Sequence, residues 1–175
     1  MRPSHWRPLA LLLPLLTAGT SDPGLLLELD LERFSLTARD LRHQDTGPSL
    51  RVVTGSPGHP TPSGVFPIFG VVRSPAWDPG HTARRLGAAP VPPSLDGPLG
   101  VAKIAFAHDG IALHGGADPL LLGKPVSLGC VRALDADLLA LLDWLDERGG
   151  LLAARQMPDG ELHQGFRRPA HIRVR

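Results

Sequence analysis

Two short stretches dominate the interpretation of this chain: residues 113–116, with the sequence LHGG, and residues 125–132, with the sequence PVSLGCVR. The second contains Cys130, the only cysteine of the chain, and the first contains His114. A lone cysteine has no intramolecular disulfide partner, so its reactivity matters more than its packing. A thiol needs a base to become a thiolate near neutral pH, and His114 is the candidate. The pair predicts a cysteine nucleophile, a histidine base and an acyl transfer.

The surroundings of Cys130 fit that chemistry. Periodic leucines predict a helix over residues 133–148, so Cys130 would lie just before it, where backbone N–H groups lower a thiol pKa and stabilise an oxyanion. Gly129 lets a carbonyl approach the main chain, and the N–H groups of Gly129 and Cys130 are candidate oxyanion-hole donors. Either a backbone carbonyl such as that of Gly115 or a distant aspartate would orient the His114 ring, and the sequence leaves both open.

Length, composition and charge narrow the class of protein. At 175 residues and 18.6 kDa the chain fits one domain. Twenty glycines and nineteen prolines predict many turns and short elements, and hence a mainly β structure. The net charge is +1 and the positive charges are scattered, so nucleic-acid binding has little support. We expect a monomer.

The N-terminus has the pattern of a secretory signal peptide. Arg2 and Arg7 precede an apolar run at residues 9–16, and small residues follow at 17–21. The run is too short for a stable membrane span. We therefore expect residues 1–20 to be a signal peptide and the protein to be exported to the periplasm, the cell wall or the medium. An exported protein that uses its one cysteine for no disulfide favours chemistry at that cysteine.

Alternating apolar residues predict short strands ahead of the two motifs. Residues 25–31 and 34–38 predict a hairpin, residues 39–49 a polar loop, and residues 50–54 a third strand. Three prolines and three glycines predict an irregular loop at residues 55–64. Further strands are predicted at residues 65–73, 101–107, 110–113 and 151–154, with a His-Asp-Gly turn at 108–110.

Two longer regions have no regular pattern. Residues 74–100 are rich in proline and glycine and carry Trp77, His81, Arg84 and Arg85. A stretch of this length is either a lid over a site or a flexible surface insertion, and the sequence leaves both open. Residues 157–175 are polar and basic, and we predict a solvated tail there.

These motifs, in this order, resemble the L,D-transpeptidase catalytic domain (the YkuD family). The resemblance covers roughly residues 25–155. It rests on these pieces of sequence: Thr54-Gly55, TPSGVF at residues 61–66, GPLG at residues 97–100, His114-Gly115, and SLGCVR at residues 127–132. It implies a sandwich-like fold of mixed strands with one main helix after the cysteine, and a catalytic domain at residues 21–156.

The resemblance also implies an activity. In this family the cysteine attacks a peptidoglycan stem peptide before its terminal D-residue, forms an acyl-thioester and passes the acyl group to an amine, with no cofactor or metal. By that resemblance Cys130 is the nucleophile, His114 its base, and Arg132 holds the motif or a substrate carboxylate. Carbapenems are expected to acylate Cys130. A structural salt bridge would explain Arg132 equally well.

The remaining members of the predicted site are Ser127, Gly129 and Gly115, which position the reacting groups. Leu128 stands where the family usually has a histidine, and this leaves the acceptor of the acyl group open. Two alternatives follow: an L,D-carboxypeptidase or endopeptidase in which water replaces the amine, and a wall-binding module without turnover.

Other residues receive no catalytic role from the sequence. His59, His81 and His108 are interpreted as loop or surface histidines, and Trp144 as a helix residue at the edge of the core. A zinc site built from His108, His114 and Cys130 is a poor pattern, because the chain offers no second cysteine. We expect no metal.

Overall fold

The computed structural model describes residues 24–107 and 110–175. The predicted signal peptide and the His108-Asp109 part of the predicted turn lie outside the described residues. Within them the elements, in chain order, are β1 (Leu25–Asp30), β2 (Ser35–Asp40), β3 (Asp45–Arg51), β4 (Thr54–Gly55), β5 (Gly64–Pro67), β6 (Gly70–Arg73), α1 (His81–Arg85), β7 (Ala102–Ala105), β8 (Ala112–His114), a 3₁₀ turn (Pro119–Leu121), β9 (Pro125–Ser127), β10 (Val131–Arg132), α2 (Asp135–Glu147), β11 (Arg155–Gln156), β12 (Leu162–Gln164) and β13 (Ala170–Val174).

The first sheet has the strand order β3-β2-β1-β13-β5. The predicted hairpin at its centre is confirmed, because β1 and β2 pair antiparallel from Leu25↔Asp40 to Asp30↔Ser35. Alternate leucines of β1, at positions 25, 27 and 29, are buried in the core. The period-two pattern therefore reports one buried face of a strand.

The polar loop predicted at residues 39–49 is wrong, because β2 continues to Asp40 and β3 begins at Asp45. Gly47 of β3 lies under the indole ring of Trp144, where a side chain would overlap the ring. Pro48 is tolerated because β3 is an edge strand and need not donate a ladder hydrogen bond there. The glycine and the proline thus reflect helix packing and an edge position.

The solvated tail predicted at residues 157–175 is also wrong. It contains β12 and β13, and β13 lies between β1 and β5 inside the first sheet. Ala170, Ile172 and Val174 are buried, while the residues between them are exposed. The alternation of buried and exposed residues that identified β1 is therefore also present in β13. The many arginines of this segment made it look like a solvated tail. The C-terminal segment completes the fold.

The second sheet has the order β10-β8-β7-β6-β12-β11. The hairpin predicted around residues 101–113 is confirmed by the antiparallel pairing of β7 with β8. The single strand predicted at residues 65–73 is two strands, since β5 belongs to the first sheet and β6 to the second. The strand predicted at residues 151–154 is wrong, because Leu151 makes only an isolated bridge with Phe166 and β11 begins at Arg155.

The predicted helix is confirmed as α2, which ends near the Gly149-Gly150 pair. Its buried residues are Leu138, Leu141, Leu142 and Leu145. They join one hydrophobic core with residues of both sheets, so the mainly β sandwich-like architecture is confirmed. Among the described residues there is no helix with the length and apolar character needed to cross a membrane.

Candidate active site

The site is built on a row of side chains that crosses three neighbouring strands. His114 of β8 lies opposite Lys103 of β7 on one side and opposite Arg132 of β10 on the other. Each of these three residues has a chain neighbour that is buried in the core. These neighbours are Ile104, Leu113 and Val131. Because successive side chains alternate between the faces of a sheet, Lys103, His114 and Arg132 share the opposite face.

The His114 ring is held in one tautomer. Its Nδ1 lies 2.7 Å from the carbonyl oxygen of Gly115, which can only accept, so Nδ1 carries the proton and Nε2 is the basic nitrogen. The sequence left two candidates for the group that orients the ring, and in the structure that group is the backbone carbonyl of Gly115. Only 3 % of His114 is exposed, and this burial lowers its pKa to about 4, helped by the charges of Arg132 and Lys103. His114 is therefore a neutral base at neutral pH.

Asp135 fixes the backbone that follows His114. Its Oδ1 accepts hydrogen bonds from the N–H groups of Val101 and Gly116, both at 3.0 Å. A side chain at Gly115 would overlap that carboxylate oxygen, so the glycine is required for this close approach. Asp135 is the first residue of α2. Its role in joining α2 to the His114 loop depends on contacts distant in the chain.

Cys130 does not lie at the N-terminus of the helix as predicted, because β10 separates it from α2. The thiol is half-buried, and its Sγ lies 3.7 Å from the carbonyl oxygen of Gly110. Burial raises the pKa of the Cys130 thiol, although the charge of Arg132 opposes that shift. The expected lowering by a helix terminus is therefore wrong, and the resting side chain is a thiol.

Two buried hydroxyl groups fix the turn that presents Cys130. Ser127 Oγ donates to the Cys130 carbonyl oxygen at 2.6 Å and accepts the Gly129 N–H at 3.1 Å. Thr61 Oγ1 donates to the Gly129 carbonyl oxygen and accepts the Gly55 N–H, both at 2.9 Å. Gly129 has a φ of +113°, which favours glycine. Thr61 was noted in the sequence as part of a motif, without this role.

Arg132 is fixed through its backbone and retains an unused side-chain donor. Its N–H and carbonyl group exchange hydrogen bonds with Val53 at 2.9 and 2.8 Å. Its Nε is buried and has no hydrogen-bond partner. Among the described residues, 24–107 and 110–175, no carboxylate lies within ion-pair distance of Arg132. These residues therefore give no support to the interpretation of Arg132 as part of a structural salt bridge.

A cavity of about 680 Å³ lies over this row of side chains. Its lining includes His114, Cys130, Arg132, Lys103 and, with 41 % of its surface exposed, Leu128. The Cys130 and His114 side chains that the sequence paired are thus brought to one cavity. Ser127 and Gly129 do not line the cavity, and they stabilise the Cys130 turn through the hydrogen bonds given above.

The long proline- and glycine-rich region forms a wall of the same cavity, at residues 76–78 and 80–83. Trp77 and Val91 exchange backbone hydrogen bonds at 2.9 and 2.8 Å, and the Ala76 N–H donates to Glu161 Oε1 at 2.8 Å. Of the two interpretations of residues 74–100, the structure favours a segment that belongs to the site. His81, interpreted as a loop histidine without a role, also lines the cavity.

No group of three or more histidine, cysteine or acidic residues in the described part of the chain is arranged to hold a metal ion. His108 of the zinc set considered above lies outside the described residues. His59 is exposed in the loop before Thr61. Trp144 lies at the core edge, with the Arg148 guanidinium 5.3 Å from its ring centre.

The family model of the L,D-transpeptidase catalytic domain (YkuD) matches residues 27–156. The chain belongs to this family. No match was found among curated proteins. Solved structures show the same fold: an L,D-transpeptidase from Mycobacterium smegmatis is 17 % identical with a TM-score of 0.52, and one from Mycobacterium tuberculosis H37Rv is 14 % identical with a TM-score of 0.56. L,D-transpeptidase 3 from Mycobacterium tuberculosis, in complex with a faropenem-derived adduct, is 16 % identical with a TM-score of 0.55.

These alignments cover most of this chain and a smaller part of its relatives. They include 87 %, 86 % and 86 % of this YkuD-family chain, and 58 %, 57 % and 60 % of the three solved chains in the same order. The chain therefore spans less than two thirds of the length of these relatives. At such identities the likeness shows the shared fold.

Proposed function

We propose that this protein is an exported cysteine acyltransferase that forms L,D cross-links, or attaches amines, on peptidoglycan stem peptides through an acyl-thioester on Cys130. The observation that carries the proposal is the meeting of Cys130 with His114 at one cavity, where Nδ1 of the histidine is committed to Gly115. Membership of the L,D-transpeptidase family supports the substrate class. The signal-like pattern of residues 1–20 supports export.

The first half of the proposed reaction transfers the stem peptide to the enzyme. His114 Nε2 takes the Cys130 proton while Sγ attacks the carbonyl carbon that precedes the terminal D-residue. We assign the resulting oxyanion to the Cys130 N–H, because the Gly129 N–H already donates to Ser127 Oγ. The C–N bond then breaks, His114 gives its proton to the leaving amine, and the acyl group remains on sulfur as a thioester.

The second half returns the enzyme to its resting state. An acceptor amine attacks the thioester carbonyl, and His114 Nε2 takes a proton from the attacking nitrogen. The C–S bond breaks and His114 gives that proton to the departing sulfur, which restores the thiol and the neutral imidazole. With water in place of the amine the same steps give hydrolysis. Leu128, exposed at the cavity where the family usually has a histidine, makes hydrolysis the second candidate.

Incubation with tetrapeptide-bearing muropeptides, followed by mass spectrometry, tests the proposal. Cross-linked dimers are expected, and tripeptides as the only product would indicate an L,D-carboxypeptidase. The Cys130→Ala variant is the control and should form neither. If the native chain also forms neither while still binding muropeptides, the chain is a wall-binding module.

Acylation by a carbapenem provides a second test. One solved relative is a complex with the carbapenem imipenem and another holds an adduct derived from the related penem faropenem, so we propose that a carbapenem acylates Cys130. A mass increase is expected on the native chain and none on Cys130→Ala. No increase on folded, reduced protein would contradict a competent nucleophile. Export is tested separately by N-terminal sequencing of the secreted or periplasmic protein.

A further inference from the structure

Two cations flank the histidine base, and one of them, Lys103, has no role in the mechanism above. Lys103 and Arg132 are the direct cross-strand neighbours of His114, on β7 and β10. Side chains at such positions begin about 5 Å apart on the same face of a sheet. Both line the cavity that contains Cys130. The floor of the cavity therefore carries a positive charge on each side of the imidazole.

Neither cation is fully used by the protein. The Lys103 Nζ lies 3.9 Å from Glu161 Oε1, beyond hydrogen-bond distance, and 28 % of its side chain is exposed. That carboxylate is already occupied, by the Ala76 N–H at 2.8 Å and by His163 Nε2 at 2.6 Å. Arg132 Nε has no hydrogen-bond partner. Lys103 thus keeps ammonium donors for a ligand, and Arg132 lines the cavity without a carboxylate partner among the described residues.

We infer that Lys103 acts beside Arg132, for which the family resemblance already implies a substrate carboxylate, and that Lys103 binds the C-terminal carboxylate of the residue released from the stem peptide. The inference rests on the proposed function. His114 must hand its proton to the leaving amine, so the leaving residue lies over the imidazole. In the leaving residue a single carbon, Cα, separates the amine from the carboxylate group. The carboxylate group therefore lies close to Lys103 and Arg132, on either side of His114. Charge-assisted hydrogen bonds to a carboxylate are among the stronger ones available.

The site determines which peptide bond is cut. A stem peptide whose last residue has a free carboxylate pairs with both cations, whereas an amidated or extended peptide leaves Lys103 with only the Glu161 carboxylate, at 3.9 Å, and Arg132 without a carboxylate partner among the described residues. Lys103 is thereby a specificity-determining residue for removal of a single terminal residue. Glu161, fixed by Ala76 and His163, supplies the nearby negative charge that keeps Lys103 oriented without occupying it.

Calorimetric binding to the Cys130→Ala chain tests the site without turnover. The probes are a tetrapeptide stem that ends in a free D-alanine carboxylate and the same peptide with a C-terminal carboxamide. The free acid should bind roughly tenfold more tightly, the ratio expected from one charged hydrogen bond. Adding Lys103→Met should lower the ratio clearly below that of the parent, because Arg132 alone then faces the carboxylate, and Lys103→Arg should largely restore it.

Lys124, the other lysine of the chain, provides the matched control. It is exposed and does not line the cavity, so Lys124→Met should keep the native acid-to-amide ratio. Because the ratio is taken within each variant, a general loosening of the cavity affects both peptides and cancels. Equal binding of acid and amide to the Cys130→Ala chain, or no binding of either, would overturn the inference, as would a ratio unchanged in Lys103→Met.

Failure of the inference and failure of the proposed function give different results. If the native chain forms acyl products but does not distinguish acid from amide, the carboxylate site is wrong and the acyltransferase stands. If the ratio depends on Lys103 but no product or carbapenem adduct forms, the chain has the binding site without the activity.

Discussion

Two buried polar clusters of this molecule use their charges in opposite ways. Asp40 is completely buried, and Arg168 donates to both of its carboxylate oxygens at 2.8 and 2.9 Å. The Arg42 N–H and His43 Nδ1 add hydrogen bonds at 3.0 and 2.7 Å. The hydrogen bonds from Arg168 hold the pKa of the Asp40 carboxyl well below its usual range. Every oxygen of Asp40 is therefore satisfied by the protein itself.

The cluster around His114 has the reverse character. Its base is uncharged, its thiol is protonated, and the nearest guanidinium keeps an unpaired Nε. The first cluster joins the turn after β2 to the segment before β13, and so fastens the C-terminal strand into the sheet. The second leaves donors and acceptors facing a cavity. Complete pairing fastens the fold in the first cluster, and incomplete pairing leaves groups available for the proposed reaction in the second.

The largest expected effect comes from His114→Gln. The variant keeps a polar side chain but loses the basic nitrogen, so the rate of carbapenem acylation should fall roughly a hundredfold to ten-thousandfold. Mass spectrometry of the adduct against time measures the rate. His59→Gln, at an exposed loop histidine, is the control and should react at the native rate. Equal rates in the native chain and His114→Gln would remove the base from the mechanism.

Arg168→Met should produce the largest loss of stability. It leaves the buried Asp40 charge unpaired, at an expected cost of about 3–5 kcal/mol in the free energy of unfolding. Urea unfolding followed by circular dichroism measures it. Arg33→Met is the matched control, because Arg33 lies 3.9 Å from Asp30 and its side chain is 81 % exposed. That change should cost less than about 1 kcal/mol.

Acid also tests the Asp40–Arg168 cluster. The folded-state pKa of Asp40 lies below its unfolded value, so its contribution to stability is present above about pH 4 and is lost as the pH falls below that. The native chain should lose stability over this range more steeply than Arg168→Met. Parallel acid profiles of the two proteins would show that the pair contributes little.

Thr61→Val should have an intermediate effect that reaches both stability and rate. The change removes the hydroxyl that joins the Gly55 N–H to the Gly129 carbonyl oxygen, and leaves the buried Gly129 carbonyl oxygen and the partly buried Gly55 N–H without this partner. We expect a loss of about 1–3 kcal/mol in the free energy of unfolding, together with slower acylation because the Cys130 turn is no longer fixed. Thr46→Val, on an exposed position of β3, should change neither. A normal acylation rate in Thr61→Val would restrict Thr61 to stability.

The smallest expected effect concerns the pH at which acylation slows, which should lie below the usual pKa of a histidine. Protonated His114 cannot accept the thiol proton, so the rate should halve near the pKa of about 4 and fall about tenfold for each further pH unit. Above that limb it should be level through neutral pH, because burial raises the pKa of the thiol. Stopped-time mass spectrometry across pH measures it. A limb near pH 6.5 would mean that His114 is more hydrated than its burial indicates.

Local patterns in the sequence predicted the elements whose neighbours in the chain define them. The leucine alternation of β1, the leucine stripe of α2 and the β7–β8 hairpin are of this kind. Prediction failed where a partner distant in the chain decides the conformation. Gly47 is suited to β3 because the Trp144 ring packs directly over it. Pro48 is tolerated in β3 because β3 is an edge strand of the first sheet. Residues 157–175 form strands because β1, β5 and β6 offer edges to pair with.

The sequence by itself determined the reacting atoms of the candidate site. A single cysteine, a histidine bounded by glycines and the motif around them are properties of residue type and spacing. Only the tertiary structure decided their chemical state: the His114 tautomer, the neutral base, the protonated thiol and the placement of Lys103 beside them. These depend on burial and on cross-strand register, which join residues far apart in the chain and set the local field. The residue types define what can react, and the fold sets when it is charged.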